Sequence, residues 1–185
     1  MTAERYTIDP AASGFAVYTF AEGLLSSFGH DPVFGMKGFS GEAHFLTENF
    51  GEGSLSITLD PNSLQIINEI KDADKQEIER VTRQEVLETG KFPEIVFASN
   101  NVSLQWFKPN RYRARVSGDL TLHGVKQSNV WVSGEVTVTP EGLRAKGEFA
   151  IRQTDYQIKL VSVTGGTLKV RNEVKCVFDL LAGKV

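Results

Sequence analysis

The chain has 185 residues, 41% hydrophobic and 23% charged, with a net charge of -3. That length can bury a sizeable core without staples, and the acidic balance with no basic cluster excludes nucleic acid as the main partner. One cysteine, Cys176, permits no internal disulfide, and no apolar run approaches the length of a membrane span.

Met1 to Arg5 shows no basic stretch leading into an apolar run, so no signal peptide is read. The expected compartment is the cytoplasm, or the periplasm where a leader has been removed. Arg5 to Asp9 and Ser13 to Phe20 read as strands, the second apolar on both parities, with Phe15 and Val17 on one side. Gly23 to Pro32 is a connection rich in turn formers. Val33 to Leu46 alternates, with Phe39, Gly41, Ala43 and Phe45 on one face. Gly51 to Gly53 is read as a turn, and Ser54 to Asp60 as a strand with Leu55 and Ile57 inward.

The period then changes. Pro61 to Ile70 suggests a turn and a short helical piece, and the helical insert as a whole covers about 61–90. Asp74 with Glu77 fits a capping box, and Ile78, Val81, Thr82 and Val86 share one helical face. Glu79 and Arg83 read as an i,i+4 pair on the opposite face. Gly90 and Pro93 stop the helix. A lone helix in a strand-rich chain closes a barrel end or covers a sheet edge.

Strands return at Glu94 to Ser99, with Phe97 inward, and at Val102 to Phe107. Tyr112 to Ile151 then carries the clearest signal in the chain. Tyr112, Ala114, Val116, Gly118 and Leu120 alternate with polar residues, as do Val130, Val132 and Val136, and then Phe149 with its neighbours. His123 to Lys126 and Thr139 to Gly142 are short enough only for antiparallel hairpins. Arg111, Arg113 and Arg115 form a stripe that reads as a solvated outer face. Arg152 to Gly166 is a longer connection. The last strand places Val170, Asn172, Val174, Cys176 and Phe178 on one parity.

Eight or nine strands with one dry face leave a sandwich or a closed barrel. The inward parity is rich in Gly and Ala, which either leaves a cavity or marks bends. Such a cavity would be apolar and suited to a hydrocarbon chain. Asn172, the polar residue on the dry side of the last strand, could hold a head group or serve a structural role. Among His30, Asp31, His44 and His123, the His30-Asp31 pair could orient an imidazole as a base at a barrel mouth. His44 reads as an outer residue, and His123 as bonded within its own hairpin. No zinc-like spacing or cofactor fingerprint appears, so no metal and no cofactor are expected.

The stretches YTIDPAAS (Tyr6 to Ser13), FSGEAHF (Phe39 to Phe45), FPEIVFAS (Phe92 to Ser99), GDLTLHGVKQSNV (Gly118 to Val130) and RQTDY (Arg152 to Tyr156) together resemble the YceI-like, polyisoprenoid-binding family. The approach to the FPEIVF segment, RQEVLETGK, and the GHDP segment (Gly29 to Pro32) depart from its usual pattern. The resemblance implies an all-β protein with one helix, folded over 1–185 as an antiparallel, up-and-down, lipocalin-like barrel of eight strands. It further implies a non-catalytic carrier of an isoprenoid or similar long-chain lipid. The expected lumen residues are Phe15, Val17, Phe39, Gly41, Ala43, Phe45, Leu55, Ile57, Phe97, Tyr112, Ala114, Val116, Gly118, Leu120, Val130, Val132, Val136, Phe149, Val170, Asn172, Val174 and Phe178. A homodimer is compatible with the sequence. The rival reading is an isomerase or hydrolase of an apolar substrate, using His30 and Asp31.

Overall fold

A computed structural model describes residues 3–22, 31–46, 49–163 and 168–185. The strands are β1 (Ala3–Ile8), β2 (Gly14–Tyr18), β3 (Ala21–Glu22), β4 (Val33–Met36), β5 (Phe39–Leu46), β6 (Asn49–Leu59) and β7 (Leu64–Ile66), followed by helix α1 (Asp72–Val81). Then come β8 (Ile95–Lys108), β9 (Arg111–Leu122), β10 (Val125–Val138), β11 (Gly142–Arg152), β12 (Ser162–Val163), β13 (Leu168–Val170) and β14 (Glu173–Lys184). The strands β1-β5-β6-β8-β9-β10-β11-β14 form an antiparallel ring of eight, closed where Tyr6 and Ile8 meet Lys184 and Ala182. β12, β13 and β3 make a small separate sheet.

The long hairpins follow the alternation seen in the sequence. β9 and β10 turn through His123 and Gly124, both at positive φ (52° and 71°), which is the backbone a two-residue hairpin of matching twist requires. β10 and β11 pair from Val138–Leu143 to Ser133–Glu148. The two stretches read as separate strands around Asn100 are one strand, β8, with an irregularity between Ser99 and Asn101. β6 begins at Asn49, so the turn expected at Gly51 to Gly53 is strand instead.

Three of the ring's strand positions are broken in two; the sequence announces the first break, at Pro10, and not the other two. β1 and β2 run in succession along β14, and β4 and β5 are likewise successive, parted at Lys37 and Gly38. The break is fixed by hydrogen bonds: Gly38 N–H donates to Ser63 Oγ at 2.8 Å, and Asp60 N–H to the Gly38 carbonyl at 2.6 Å. β6 continues into β7 through a single 3-10 turn, Pro61–Ser63; of the stretch expected to hold a turn and a short helical piece, only that turn is helical, and Leu64–Ile66 is strand. The upper pieces β2, β4 and β7 pair together, but β8 begins opposite Leu59 and never reaches β7.

Helix α1 fills that gap. Glu79 Oε1 accepts the Ile66 N–H at 2.8 Å, and Arg83 Nη1 donates to the Leu64 carbonyl at 2.8 Å. These backbone groups point away from β4, so the helix satisfies an edge that has no strand partner. The expected solvent-side pair is thus a clamp facing the barrel, its two side chains 3.6 Å apart. The capping box is not formed either. The helix starts at Asp72, two residues earlier, with Lys71 at the cap and no side-chain cap bond. Past Val81 it widens into a π turn, Thr82–Val86.

On the outer wall Asp179 receives Arg144 at 2.7 and 2.8 Å and Lys146 at 3.1 Å. The Arg144 hydrogen bonds hold its carboxyl down at about 2. A depressed carboxylate stabilises the fold above its unfolded value of about 3.9 and loses that contribution as pH falls through the folded one. The side chain is 39% exposed, so solvent screening limits the effect to under ~1 kcal/mol. Urea unfolding of Asp179→Asn should show a shallower loss of stability than the native protein over the interval from about pH 4 down to 2; parallel curves would remove this pair from the acid response.

Candidate functional site

The inward side chains enclose a chamber of about 250 Å³. Its wall is overwhelmingly apolar: Ile8, Met36, Leu59, Leu122 and Leu180 join Phe rings from β2, β4, β5, β8, β11 and β14. Thr19 and Thr82 also reach it, with their hydroxyls already donating to the carbonyls of Pro32 (2.9 Å) and Ile78 (2.7 Å), and Gln153 gives one of its amide N–H groups to the Arg171 carbonyl (2.8 Å). Glu135 and Lys146 border it too, with their charged ends paired to Arg111 and Asp179 outside. The Cys176 thiol lies in this wall, 3% exposed, and burial pushes it up to about 12. It is therefore an inert apolar surface, as a buried thiol without a cationic neighbour should be.

Of the residues expected in the lumen, the chamber is bordered by Phe15, Val17, Phe39, Ala43, Phe45, Leu55, Ile57 and Phe97 from the first half of the chain. From the second half come Ala114, Val116, Leu120, Val132, Val136, Phe149, Val174 and Phe178. Six do not border it. Gly41 and Gly118 offer no side chain, and the ring of Phe97 occupies the space beside Gly118: a Cβ there would sit 2.8 Å from its Cζ. Gly147 is covered the same way by Phe178, at 2.5 Å. Gly118 and Gly147 therefore admit neighbouring rings and close strand approach, and the small residues that border the free space are Ala43, Ala114, Gly134 and Ala145.

Tyr112 and Val130 pack against the core outside the chamber. Val170 and Asn172 are displaced because the last strand breaks at Arg171 and Asn172. Val170 pairs with Ala21 in the small sheet. Asn172 accepts the Thr154 N–H at 3.0 Å and donates to Thr154 Oγ1 at 2.8 Å, so it anchors the turn after β11 and not a head group. The wall also takes Thr82, Val86, Leu87 and Ile158 from outside the strands, and Ile8, Phe34, Met36, Leu59, Leu122 and Leu180 from the strands, none of them in the expected lumen set. The apolar face of the helix was the available signal for the first two.

The polar candidates are dispersed. His30 lies outside the described residues. The Asp31 carboxylate accepts the Ala21 N–H at 2.6 Å and its carbonyl accepts Asn68 Nδ2 at 3.0 Å, both ties within the loop framework. His44 is on the outer wall, 3.5 Å from Glu42. His123 is bonded far from its own hairpin, contrary to expectation. Its Nε2 lies 2.8 Å from the Glu88 carboxylate, its Nδ1 3.2 Å from the Tyr156 carbonyl, and Phe92 packs at 4.6 Å between ring centroids. It ties the segment after the helix to the β9–β10 turn. Among the described residues no cluster of His, Cys, Asp or Glu is arranged to hold a metal ion. No helix among them is long and apolar enough to cross a membrane.

A closed, eight-stranded antiparallel barrel around an apolar chamber, with a helix against one side, defines the class of lipocalin-like barrels. The chain belongs to the YceI-like domain family, whose sequence profile matches residues 6–182. No curated protein matches the sequence. Among solved structures it is similar to BcnA of Burkholderia cenocepacia, at 18% identity and a TM-score of 0.71 over 94% of this chain and 98% of that one. It is also similar to a polyisoprenoid binding domain from Saccharophagus degradans implicated in plant cell wall breakdown, at 15% identity and 0.69 over 96% and 97%. A YCEI protein from Campylobacter jejuni follows at 16% and 0.53 over 68% and 70%. At these identities the likeness is one of fold.

Proposed function

We propose that the protein is a non-catalytic carrier that holds the apolar chain of an isoprenoid or similar amphiphilic lipid inside the barrel. The observation that carries this reading is a chamber walled almost wholly by apolar side chains, whose few polar members are held by hydrogen bonds or by ion pairs outside. Such a space rejects polar solutes, whose hydrogen bonds would go unmade, and accepts hydrocarbon. A cavity of about 150 Å³ takes one benzene, so this one has room for roughly ten carbons. At ~0.8 kcal/mol per methylene, ten give about 8 kcal/mol gross, set against an association cost of about 4 to 15 kcal/mol. The ligand therefore places a segment of about that length inside and extends the rest, with its polar group, beyond the chamber.

The solved domain from Saccharophagus degradans is described as polyisoprenoid binding, which supports the same class of ligand. The loop ties of Asp31 favour a structural role for it over general-base chemistry. Mass spectrometry of solvent extracts from purified protein should find a chain-bearing lipid near one per barrel. Clean extracts, together with failure of the stripped protein to take up a fluorescent fatty or prenyl probe, would overturn the reading.

A further inference from the structure

Along the outer wall Arg5, Lys126, Arg144, Lys146, Lys175 and Lys184 each sit within ion-pair distance of a carboxylate. The stripe on β9 is different. Arg111 pairs with Glu135 at 2.6 Å, but among the described residues neither Arg113 nor Arg115 has an ion-pair partner. They lie over aromatic rings instead. Arg111 and Arg113 are each 5.4 Å from the Phe107 ring, and Arg115 is 5.1 Å from Trp131. Such stacking orients a guanidinium and leaves its charge in place.

The aromatic partners are set there by the strands. β8 carries a bulge, with Trp106 opposite Tyr112 and Lys108 opposite Arg111, so Phe107 is the extra residue between them. Two exposed indoles flank β9, Trp106 (62%) at the rim on the parity of Leu104 and Trp131 (53%) on the outward parity of β10. The chain as a whole is acidic, at -3, whereas Lys108, Arg113 and Arg115 place positive charge here. The patch thus combines a local positive charge with rings suited to the headgroup level of a bilayer.

We propose that this face, formed by Trp106, Phe107, Lys108, Arg113, Arg115 and Trp131, docks onto an anionic phospholipid surface. Its position favours a membrane over a nucleic acid strand, which can use the same residue types. Two pairs along from Trp106 and Tyr112, on the same side of the strands, are Leu104 and Ala114, and both border the chamber. The patch therefore starts at one rim of the apolar interior, at Trp106, and runs down the outer wall to Trp131, which pairs with Ser117. Contact with a lipid surface has a use at that rim. The docking itself stands on the outer wall and does not depend on what fills the chamber.

Co-sedimentation with vesicles tests it, using phosphatidylcholine alone and phosphatidylcholine mixed with phosphatidylglycerol. The native protein should bind the mixed vesicles at low salt, leave the neutral ones unbound, and be released in molar salt, where screening is nearly complete. Each basic residue near such a surface contributes about a factor of five, so Arg113→Gln with Arg115→Gln should weaken binding roughly 30-fold. Trp106→Ser with Trp131→Ser should weaken it independently, with unchanged melting temperature showing that both variants fold. Equal binding to both vesicle types, or Gln variants that bind like the native protein, would overturn the proposal. So would a single-stranded oligonucleotide that binds the native protein while phosphatidylglycerol vesicles do not.

Discussion

Ala114→Phe combined with Ala145→Phe is expected to leave a folded barrel that no longer retains an apolar chain. Both alanines border the chamber, on β9 and β11, and β10 lies between them, with Gly134 and Val136 at the paired positions. Two phenyl groups bring about twelve carbons into a space with room for roughly ten. The ligand then loses nearly all of the ~8 kcal/mol gross that its buried methylenes supply, and binding of a fluorescent chain should fall below detection. Stability of the lipid-free protein moves the other way. Rings that enter open space contribute about 1.5 to 3 kcal/mol each on burial, whereas rings forced into a packed core cost about 1 to 3 kcal/mol. Thermal melting of stripped protein separates these outcomes. A melting temperature that holds or rises while probe binding vanishes supports the chamber; a clear fall in melting temperature, with probe binding intact, would refute it.

The parts of the fold that were legible in sequence are those where one physical rule acts alone. From Tyr112 to Ile151 strict alternation and short turns leave one solution, and β9, β10 and β11 follow it. The illegible parts are those where a second interaction competes with the local pattern. Leu168 to Leu180 alternates without interruption, yet Asn172 is drawn out of the barrel by Thr154 and Val170 by Ala21. Alternation along a strand says nothing about which partner the strand keeps. The inward glycines posed a similar ambiguity. Small residues signal space only when no neighbour enters it, and Phe97 and Phe178 do. The resemblance to YceI-like proteins supplied the closed ring, which periodicity alone left undecided between barrel and sandwich.

The same limit explains Glu79 and Arg83, and their mutation is expected to give the largest loss of stability of any surface-charge change. An i,i+4 acid–base pair on a helix reads as solvated, because the sequence does not reveal that β7 lacks a strand on its far side. In the fold these side chains are 14% and 30% exposed and stand where that strand would be. Ile66, whose N–H donates to Glu79, is itself 2% exposed. A hydrogen bond to a charged group contributes about 1.5 to 3 kcal/mol, and a buried donor left alone adds a penalty of its own. Glu79→Ala with Arg83→Ala should therefore lower unfolding free energy by about 3 to 5 kcal/mol, less than the sum of the single changes because the pair is coupled. Glu79→Gln keeps an acceptor for Ile66 and should recover much of the loss. The helix also presents Thr82, Val86 and Leu87 to the chamber, so loosening it opens the interior. Urea unfolding should then be accompanied by faster exchange of a bound fluorescent chain in the double variant, at denaturant concentrations where the barrel is still folded. If Glu79→Ala and Glu79→Gln unfold alike, the carboxylate is not closing the β7 edge, and the helix stays in place through its apolar face alone.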